Sequence, residues 1–410
     1  MAKGIIFVAD GMAGRPIPEL DGKTTLESAD TPHMDRIALE GECGLLDPIS
    51  PGVRAGSDTS HLALLGYNPY EYYTGRGPFE AMGAGLAVKP GDIALRMNFA
   101  TIDDKGIVID RRAGRIQENE GTHQLAELLN HLEIDRVQIL CNASTAHRGA
   151  VVLRGEDLSG EIEDADPHRE GKPIPKAKPL TKEAKRTGAV VDKLIAKSVE
   201  LFRDHEINKK RIKEGKSPAN CVLLRGAGVA PRVQLFSERY KIKGAAVVEV
   251  GLIRGIARFL GLDLIDVPTA TGGADTDEVG LARAVVGALG DYDLVLTNIK
   301  APDLGGHDGD YKAKISAIEK ADRMSGIIYE GIKGSDTHLA ILADHATPVV
   351  CRDHTGDAVP IATWGKMTRP DGVKSYGERP CIGGGLERIQ GIDLMPIMLN
   401  LMGAAEKFGA

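Results

Sequence analysis

The chain has 410 residues, 42% of them hydrophobic and 27% charged, enough for about two globular cores. Its 51 basic side chains nearly balance 58 acidic ones, and a formal net charge of -7 gives no electrostatic footprint for nucleic acid or an anionic membrane; no apolar stretch approaches the roughly 20 residues of a spanning helix. Cys43, Cys141, Cys221, Cys351 and Cys381 are odd in number and form no C-x-x-C pair, which points to reduced thiols in a cytoplasmic protein and away from a zinc ribbon.

The opening "GIIFVAD" reads as a first strand ending in Asp10, not as a signal peptide. "TPHMDRIALEG" predicts a helix, with Pro32 near its start and Gly41 beyond its end. In "VRAGSDTSHLALLGY" Ser57 follows a glycine and precedes a helical run, so its hydroxyl is either a helix cap or a nucleophile. From about residue 90 the texture changes. "ALRMNFATID" and "GIVIDRRAGRI" read as strands joined at "DDKG", and "RVQILCNASTAHRGAVVLRG" as an antiparallel pair. Glu156 to Lys182 is polar and proline-rich, a long surface loop. Val190, Val191, Leu194, Ile195, Leu201 and Phe202 mark an amphipathic helix, "KKRIKEGKSPAN" a solvated charged loop, and "CVLLRGAG" another strand. Beyond residue 240, "DTDEVGLARAVVGAL" and "YKAKISAIEKADRMSGIIYEGI" are helical, the latter through Ile315, Ile318, Met324 and Ile328. "YDLVLTNIKAPD" reaches Asp303 after a short turn, "HLAILADH" ends in Asp344 and His345, and "DLMPIMLNLMG" closes the chain with a packing helix.

Three short, continuous, β-branched runs therefore end in acids. Such runs fit strands buried on both faces of a parallel sheet. The expected fold is α/β, a mostly parallel sheet with helices on both faces and an inserted α+β domain. Residues 1–89 and 241–410 would form a discontinuous catalytic domain, and 90–240 a substrate-binding lid. The Walker A pattern is absent, and "GRGPFE" and "GAGVAP" both fail the G-x-G-x-x-G pattern at its last position, so a nucleotide cofactor has no support.

In open α/β sheets ligands bind beyond the carboxyl ends of the strands. Asp10, Asp303, His307, Asp344, His345 and His354 collect there or in the adjoining loop. Their oxygens and imidazole nitrogens suit Mn²⁺ or Zn²⁺ better than Ca²⁺. Six ligands are too many for one catalytic ion but enough for two, about 4 Å apart, which can clamp a phosphoryl group. Taken singly, each has a plainer reading. Asp303 and His307 could form a helical salt bridge, although Gly305 and Gly306 make that helix poor; Asp344 could cap a helix; His354 could be a surface residue. Together they divide into Asp10, Ser57, Asp344 and His345 for one ion, and Asp303, His307 and His354 for the other. A bound divalent ion would depress the pKa of Ser57 and settle the question of its hydroxyl. His61 is better read as a supporting or capping residue than as a ligand.

The stretches "FVADGMAGRP", "AGSDTSHLALLGYNPYEYYTGRGPFEA", "DRRAGRI", "HRGAVVLRG", "RGAGVAP", "TGGADTD", "KAPDLGGHDGD" and "ADHATPV…DHTGDAVP" resemble the archaeal-type cofactor-independent phosphoglycerate mutases of the alkaline phosphatase superfamily, over nearly the whole chain. The resemblance implies the same metal ligands, Ser57 as a phosphorylated nucleophile, and interconversion of 3- and 2-phosphoglycerate in glycolysis and gluconeogenesis, without 2,3-bisphosphoglycerate. Mn²⁺ is the expected ion, with Zn²⁺, Co²⁺ and Mg²⁺ as alternatives. The chain departs from the bacterial branch in reading S-D-T-S-H where that branch has S-E-V-G-H, and in its shorter insert. Arg111, Arg112, Arg115 and Arg225 are the candidate substrate-binding residues, because arginine grips a carboxylate bidentately. Asp110 is a candidate base by sequence proximity alone. The expected partner is the small substrate, with no nucleic acid or membrane, in a monomer or small homo-oligomer. Another two-metal phosphotransferase (a phosphatase, a phosphopentomutase or a kinase-like enzyme on a small alcohol) and a non-catalytic binding module that kept the fold are the competing readings.

Overall fold

A computed structural model describes residues 2–407 and 409. Its contacts divide the chain into two units, Met1–Tyr72 with Gln234–Ala410, and Tyr73–Val233.

The first unit is built on an eight-stranded sheet. Its order is Asp263–Leu264, Gly244–Val248, Leu294–Ile299, Lys3–Ala9, Thr337–Leu342, Val359–Trp364, Glu42–Asp47, Glu387–Gln390. All neighbours pair in parallel except Val359–Trp364, which runs against both of its own. Ile5 to Ala9 and Leu339 to Leu342 are wholly buried, as strands covered on both faces must be. The helices fall into two groups. Tyr311–Ile332 packs on Thr25–Ser28, Pro32–Leu39, Glu278–Ala288 and Ala301–Asp308, while Gly251–Leu260 packs on Ser57–Leu64. Asp310 starts the long helix by accepting from Lys312 N and Ala313 N, each at 3.0 Å. Among the described residues no helix is long and apolar enough to cross a membrane, and all five cysteines are free.

The second unit is an antiparallel sheet. Val108–Asp110, Ile93–Ile102, Arg148–Arg154, Val137–Ala143 and Glu133–Ile134 lie in that order, and Cys221–Val229 also pairs with Ile93–Ile102. The helix Lys185–Arg203 packs on Cys221–Val229 and buries Val190, Val191, Leu194, Ile195 and Phe202 in one core with the strands of that sheet.

Four expectations shift. The units meet at 72/73 and 233/234, not at 89/90 and 240/241. Gly77–Gly83 is a helix that packs on Ile93–Ile102 and Arg148–Arg154, and Gly77 lies so close to Ala94 O that a Cβ would collide. At the other end, Tyr67 Oη donates to Gln234 O at 2.9 Å and Tyr240 Oη to Leu65 O at 3.0 Å, which ties residues after 233 to the first unit. "GIVIDRRAGRI" is a strand only over Val108–Asp110 before it turns sharply. "KKRIKEGKSPAN" overlaps a helix, Glu206–Lys213, and Arg211 in it is 4% exposed. The loop from Glu156 to Lys182 is not surface throughout: Ala165 bridges Leu224, and Asp166 is buried.

Candidate metal centre

Four of the candidate ligands in the first unit follow a strand or begin a helix, while Ser57 begins another helix, His307 lies in the last turn of Ala301–Asp308 and His354 in the loop before Val359–Trp364. Asp10 follows Lys3–Ala9, Asp303 lies in the first turn of Ala301–Asp308, and Asp344 and His345 follow Thr337–Leu342. Asp10, Asp303, Asp344 and His345 are each at most 1% exposed as whole residues. The helix Ala301–Asp308 forms despite Gly305 and Gly306, because these glycines admit the backbones of Lys314 and Thr347; a Cβ on Gly305 would sit 2.7 Å from Lys314 N. Asp303 and His307 are thereby set one turn apart, Nε2 3.4 Å from Oδ2.

His345 is the hub. Its Nε2 lies 3.1 Å from Ser57 Oγ, 3.6 Å from Asp10 Oδ1 and 3.3 Å from Asp344 Oδ2. His354 stacks on it with ring centroids 3.6 Å apart, and His354 Nε2 lies 3.6 Å from Asp303 Oδ1 and 3.2 Å from His307 Nε2. Two sets of donors converge within 4.8 Å: Asp10, Asp344 and His345, and Asp303, His345 and His354. His345 thus belongs to both sets, where the sequence division gave it to one. Ser57 is the first helical residue and Gly56 the cap, so the serine does not serve as the N-cap.

Fixed dipoles and charges hold the ligands. Gly11 N donates to Asp344 Oδ1 at 3.0 Å, Asn298 Nδ2 to Asp10 Oδ2 at 3.2 Å, and Thr347 Oγ1 to Asp303 Oδ1 at 2.7 Å. Ala55 O and Arg352 O face the Nδ1 atoms of His354 and His307 at 2.8 and 3.1 Å, which leaves each Nε2 directed at the carboxylates. His61, wholly buried, sets Nδ1 2.7 Å from Ser57 O and 3.7 Å from Asp344 Oδ2.

Two lysines were not singled out from the sequence. Lys300 Nζ sits 2.9 Å from Asp10 Oδ1 and 2.6 Å from Asp303 Oδ2. Lys314, wholly buried, donates to Gly11 O, Ala13 O and Thr347 O at 2.8, 3.0 and 2.7 Å, and so joins two ligand-bearing loops. Each had a signal. Lys300 directly follows a strand, and Lys314 shares a helix face with Ile318 and Ala321.

The electrostatics are those of acids crowded out of water. Burial, and then Asp344, push the Asp10 carboxyl well above its ordinary value. Burial also opposes ionisation of Asp303, but the Lys300 ammonium, with the Thr347 hydrogen bond, outweighs it and holds that carboxyl far below the usual range. Burial pushes the His345 imidazole down to about 3, so it is a neutral donor. Asp344 Oδ2 is buried and accepts no hydrogen bond. A buried carboxylate oxygen without a partner is costly, and a divalent cation between neutral imidazoles and carboxylates supplies one. The donors present therefore fit such an ion.

In the second unit, Arg111 grips Asp166 bidentately, Nε to Oδ1 at 2.9 Å and Nη2 to Oδ2 at 2.6 Å, and Arg225 Nε lies 3.7 Å from the same carboxylate. Arg111, Arg112 and Arg115 line an open pocket of about 590 Å³ with Asp110 and Arg169; Arg225 is not among its walls. Arg96, unmarked by the sequence reading, stands opposite Arg225 in the sheet, and burial with Arg76 and Arg225 nearby lowers its guanidinium to about 10 despite Glu80. Asp110 spends both oxygens on its own turn, accepting from Arg112 N at 2.7 Å and Gly114 N at 2.6 Å.

Comparison with known proteins supplies a family. Residues 38–208 match the family described as 2,3-bisphosphoglycerate-independent phosphoglycerate mutase. A protein of that description, numbered 1, from Methanothermobacter thermautotrophicus is 51% identical over the full length of both chains. Among solved structures, a protein from Pyrococcus horikoshii aligns at 39% identity and TM-score 0.86, covering 100% of this chain and 99% of its own. A cofactor-independent phosphoglycerate mutase from Thermoplasma acidophilum aligns at 36% identity and TM-score 0.74, covering 98% and 100%.

Proposed function

Since the chain belongs to the family of 2,3-bisphosphoglycerate-independent phosphoglycerate mutases, we propose that it interconverts 3-phosphoglycerate and 2-phosphoglycerate through a phosphoserine at Ser57. The observation that carries the reading is Ser57 Oγ 3.1 Å from His345 Nε2, among buried acids and imidazoles with an orphaned Asp344 oxygen.

Asp10, Ser57, Asp344 and His345 are the residues for one divalent ion, and Asp303, His307 and His354 for a second, with His345 near both; Mn²⁺ is the expected metal. When bound, such ions neutralise phosphoryl oxygens and lower the pKa of the serine hydroxyl. Ser57 Oγ then forms a bond to phosphorus as the substrate's O3–P bond breaks, and the proton lost by Ser57 goes to the glycerate O3. Glycerate re-orients, its 2-hydroxyl takes the phosphoryl group, and Ser57 recovers its proton. Lys300 adds a fixed cation beside Asp10 and Asp303 to offset phosphate charge. Arg111, Arg112, Arg115 and Arg225 are assigned to the substrate carboxylate, and the inserted unit to the part of a lid that excludes water, since water would also attack phosphoserine. Asp110 accepts one backbone N–H group through each of its oxygens, which keeps a lone pair free on each, so it stays a candidate base by sequence proximity alone. A cytoplasmic monomer or small homo-oligomer acting on this small substrate alone completes the proposal.

The test is a product balance. With 3-phosphoglycerate and Mn²⁺ the protein should form 2-phosphoglycerate in large excess over inorganic phosphate. Predominant phosphate release would make it a phosphatase and remove the mutase reading.

A further inference from the structure

We propose that Arg211 is a positioning residue that holds the turn Arg112–Arg115 in its working shape and thereby sets affinity for the substrate carboxylate. The inference rests on the reading above that Arg112 and Arg115 bind substrate.

The turn does not hold itself. Ala113, Gly114 and Arg115 have φ of 47°, 64° and 55°, three successive left-handed residues of which only one is glycine. Such a backbone persists only where its surroundings over-determine it, and such sites cluster where ligands are gripped. Local clamps are Asp110, which accepts from Arg112 N and Gly114 N, and Gln117, whose Nε2 donates to Arg115 O at 2.6 Å. The clamp from another element is Arg211, on the helix Glu206–Lys213. Its Nη2 donates to Ala113 O and its Nε to Ser217 O, both at 2.9 Å. Ser217 lines the same open pocket as Arg112 and Arg115, so one guanidinium fixes the turn to the neighbouring segment of the pocket lining. Glu120 Oε1 stands 3.0 Å from Arg211 Nη1 as an ion-pair partner, without a directed hydrogen bond, and 2.9 Å from Lys216 Nζ. The simultaneous use of Nε and Nη2 of one planar group is what lysine cannot reproduce. A buried arginine inside a run of charges is otherwise unexplained, because a solvated helix face would leave it exposed.

The experiment is steady-state kinetics with 3-phosphoglycerate on the full chain loaded with Mn²⁺, with circular dichroism and thermal melting to certify folding. Arg211→Lys should raise KM about tenfold and leave kcat within about threefold. Arg112→Ala and Arg115→Ala should each raise KM. In the double-alanine background, Arg211→Lys should change KM by less than about twofold, because it acts through those side chains. An unchanged KM in folded Arg211→Lys, with KM raised in the alanine variants, overturns the positioning role and leaves the substrate arginines standing. An unchanged KM in the alanine variants overturns both. Should Arg211→Lys fail to fold, Glu120→Gln takes its place: a smaller rise in KM supports the role, and no rise overturns it.

Discussion

Ser57 begins its helix with Gly56 in the capping position, and its hydroxyl is paired with His345 Nε2 rather than with a backbone amide. Replacing it with alanine removes a buried hydrogen bond but keeps a good helix former, so stability should fall by only about 1 kcal/mol. Turnover, by contrast, should fall by at least about 10⁴-fold, and the phosphoryl adduct of about 80 Da expected on the wild type in an intact-mass measurement should be absent from the variant. Turnover within tenfold of wild type would exclude Ser57 as the carrier. His147 offers a separate check on the inserted unit. Burial, and then the positive charge of Arg148 and Arg112, push its imidazole down to about 4 from 6.5, against Asp110, with Arg115 adding to the fall. The unfolded chain therefore takes up a proton between pH 6.5 and pH 4 that the folded chain refuses. The contribution is complete above pH 6.5 and is lost progressively as pH falls to about 4. Melting curves of wild type and His147→Gln should converge on acidification through that window; parallel curves would refute the assignment. At this scale the sequence disclosed the acids and imidazoles because Asp10, Asp344 and His345 follow apolar strands directly and Asp303, His307 and His354 lie close beyond them in short polar stretches. It disguised Lys300, Lys314 and Arg211, because a cation amid polar or amphipathic residues reads as solvated until its acceptors are seen.

Among the elements, Ala301–Asp308 is the one where local preference and packing disagree. Glycine costs a helix about 1 kcal/mol relative to alanine, so Gly305→Ala should help by propensity alone. The added methyl, however, would lie 2.7 Å from Lys314 N and 2.8 Å from Lys314 Cα, backbone atoms of a long helix that do not yield easily. Overpacking of this kind costs about 1–3 kcal/mol and wins. Gly305→Ala should lower the melting temperature and weaken Mn²⁺ binding measured calorimetrically, because Asp303 and His307 ride on that helix. A stabilised variant with unchanged metal affinity would show the contact to be soft. The strands and the long helix Tyr311–Ile332 were legible because hydrophobic period fixes them locally. The truncated strand Val108–Asp110, the helix Glu206–Lys213 and this glycine-bearing helix were not, because each depends on what comes close in space.

Across the whole molecule the two units have separate sheets, and the core that gathers Phe99, Phe202 and Leu224 draws only on residues of Tyr73–Val233. Unfolding should then be more than two-state. Since the candidate ligands all belong to the first unit, Mn²⁺ at about 100 times its dissociation constant should stabilise that unit by about 2.7 kcal/mol for each ion bound and leave the other transition in place. Calorimetry with chelator and with Mn²⁺ reads this directly, and a single transition that moves as a whole would contradict it. The division into an α/β unit with an insert was readable from the change in strand texture. The hinges were not, since Gly77–Gly83 looks like catalytic-domain sequence until it is seen on the insert's sheet. One reversed strand, Val359–Trp364, carries a consequence for chain routing. Because it sets out from the edge where Thr337–Leu342 arrives, the segment between them never has to travel to the far side, and it delivers Asp344, His345 and His354 in a single pass. Because it also reverses Glu42–Asp47 relative to itself, that strand again points the same way as Lys3–Ala9, and its exit leads to Ser57. A single about-face in the weave thus brings residues far apart in sequence to one rim, with no long detour around the sheet.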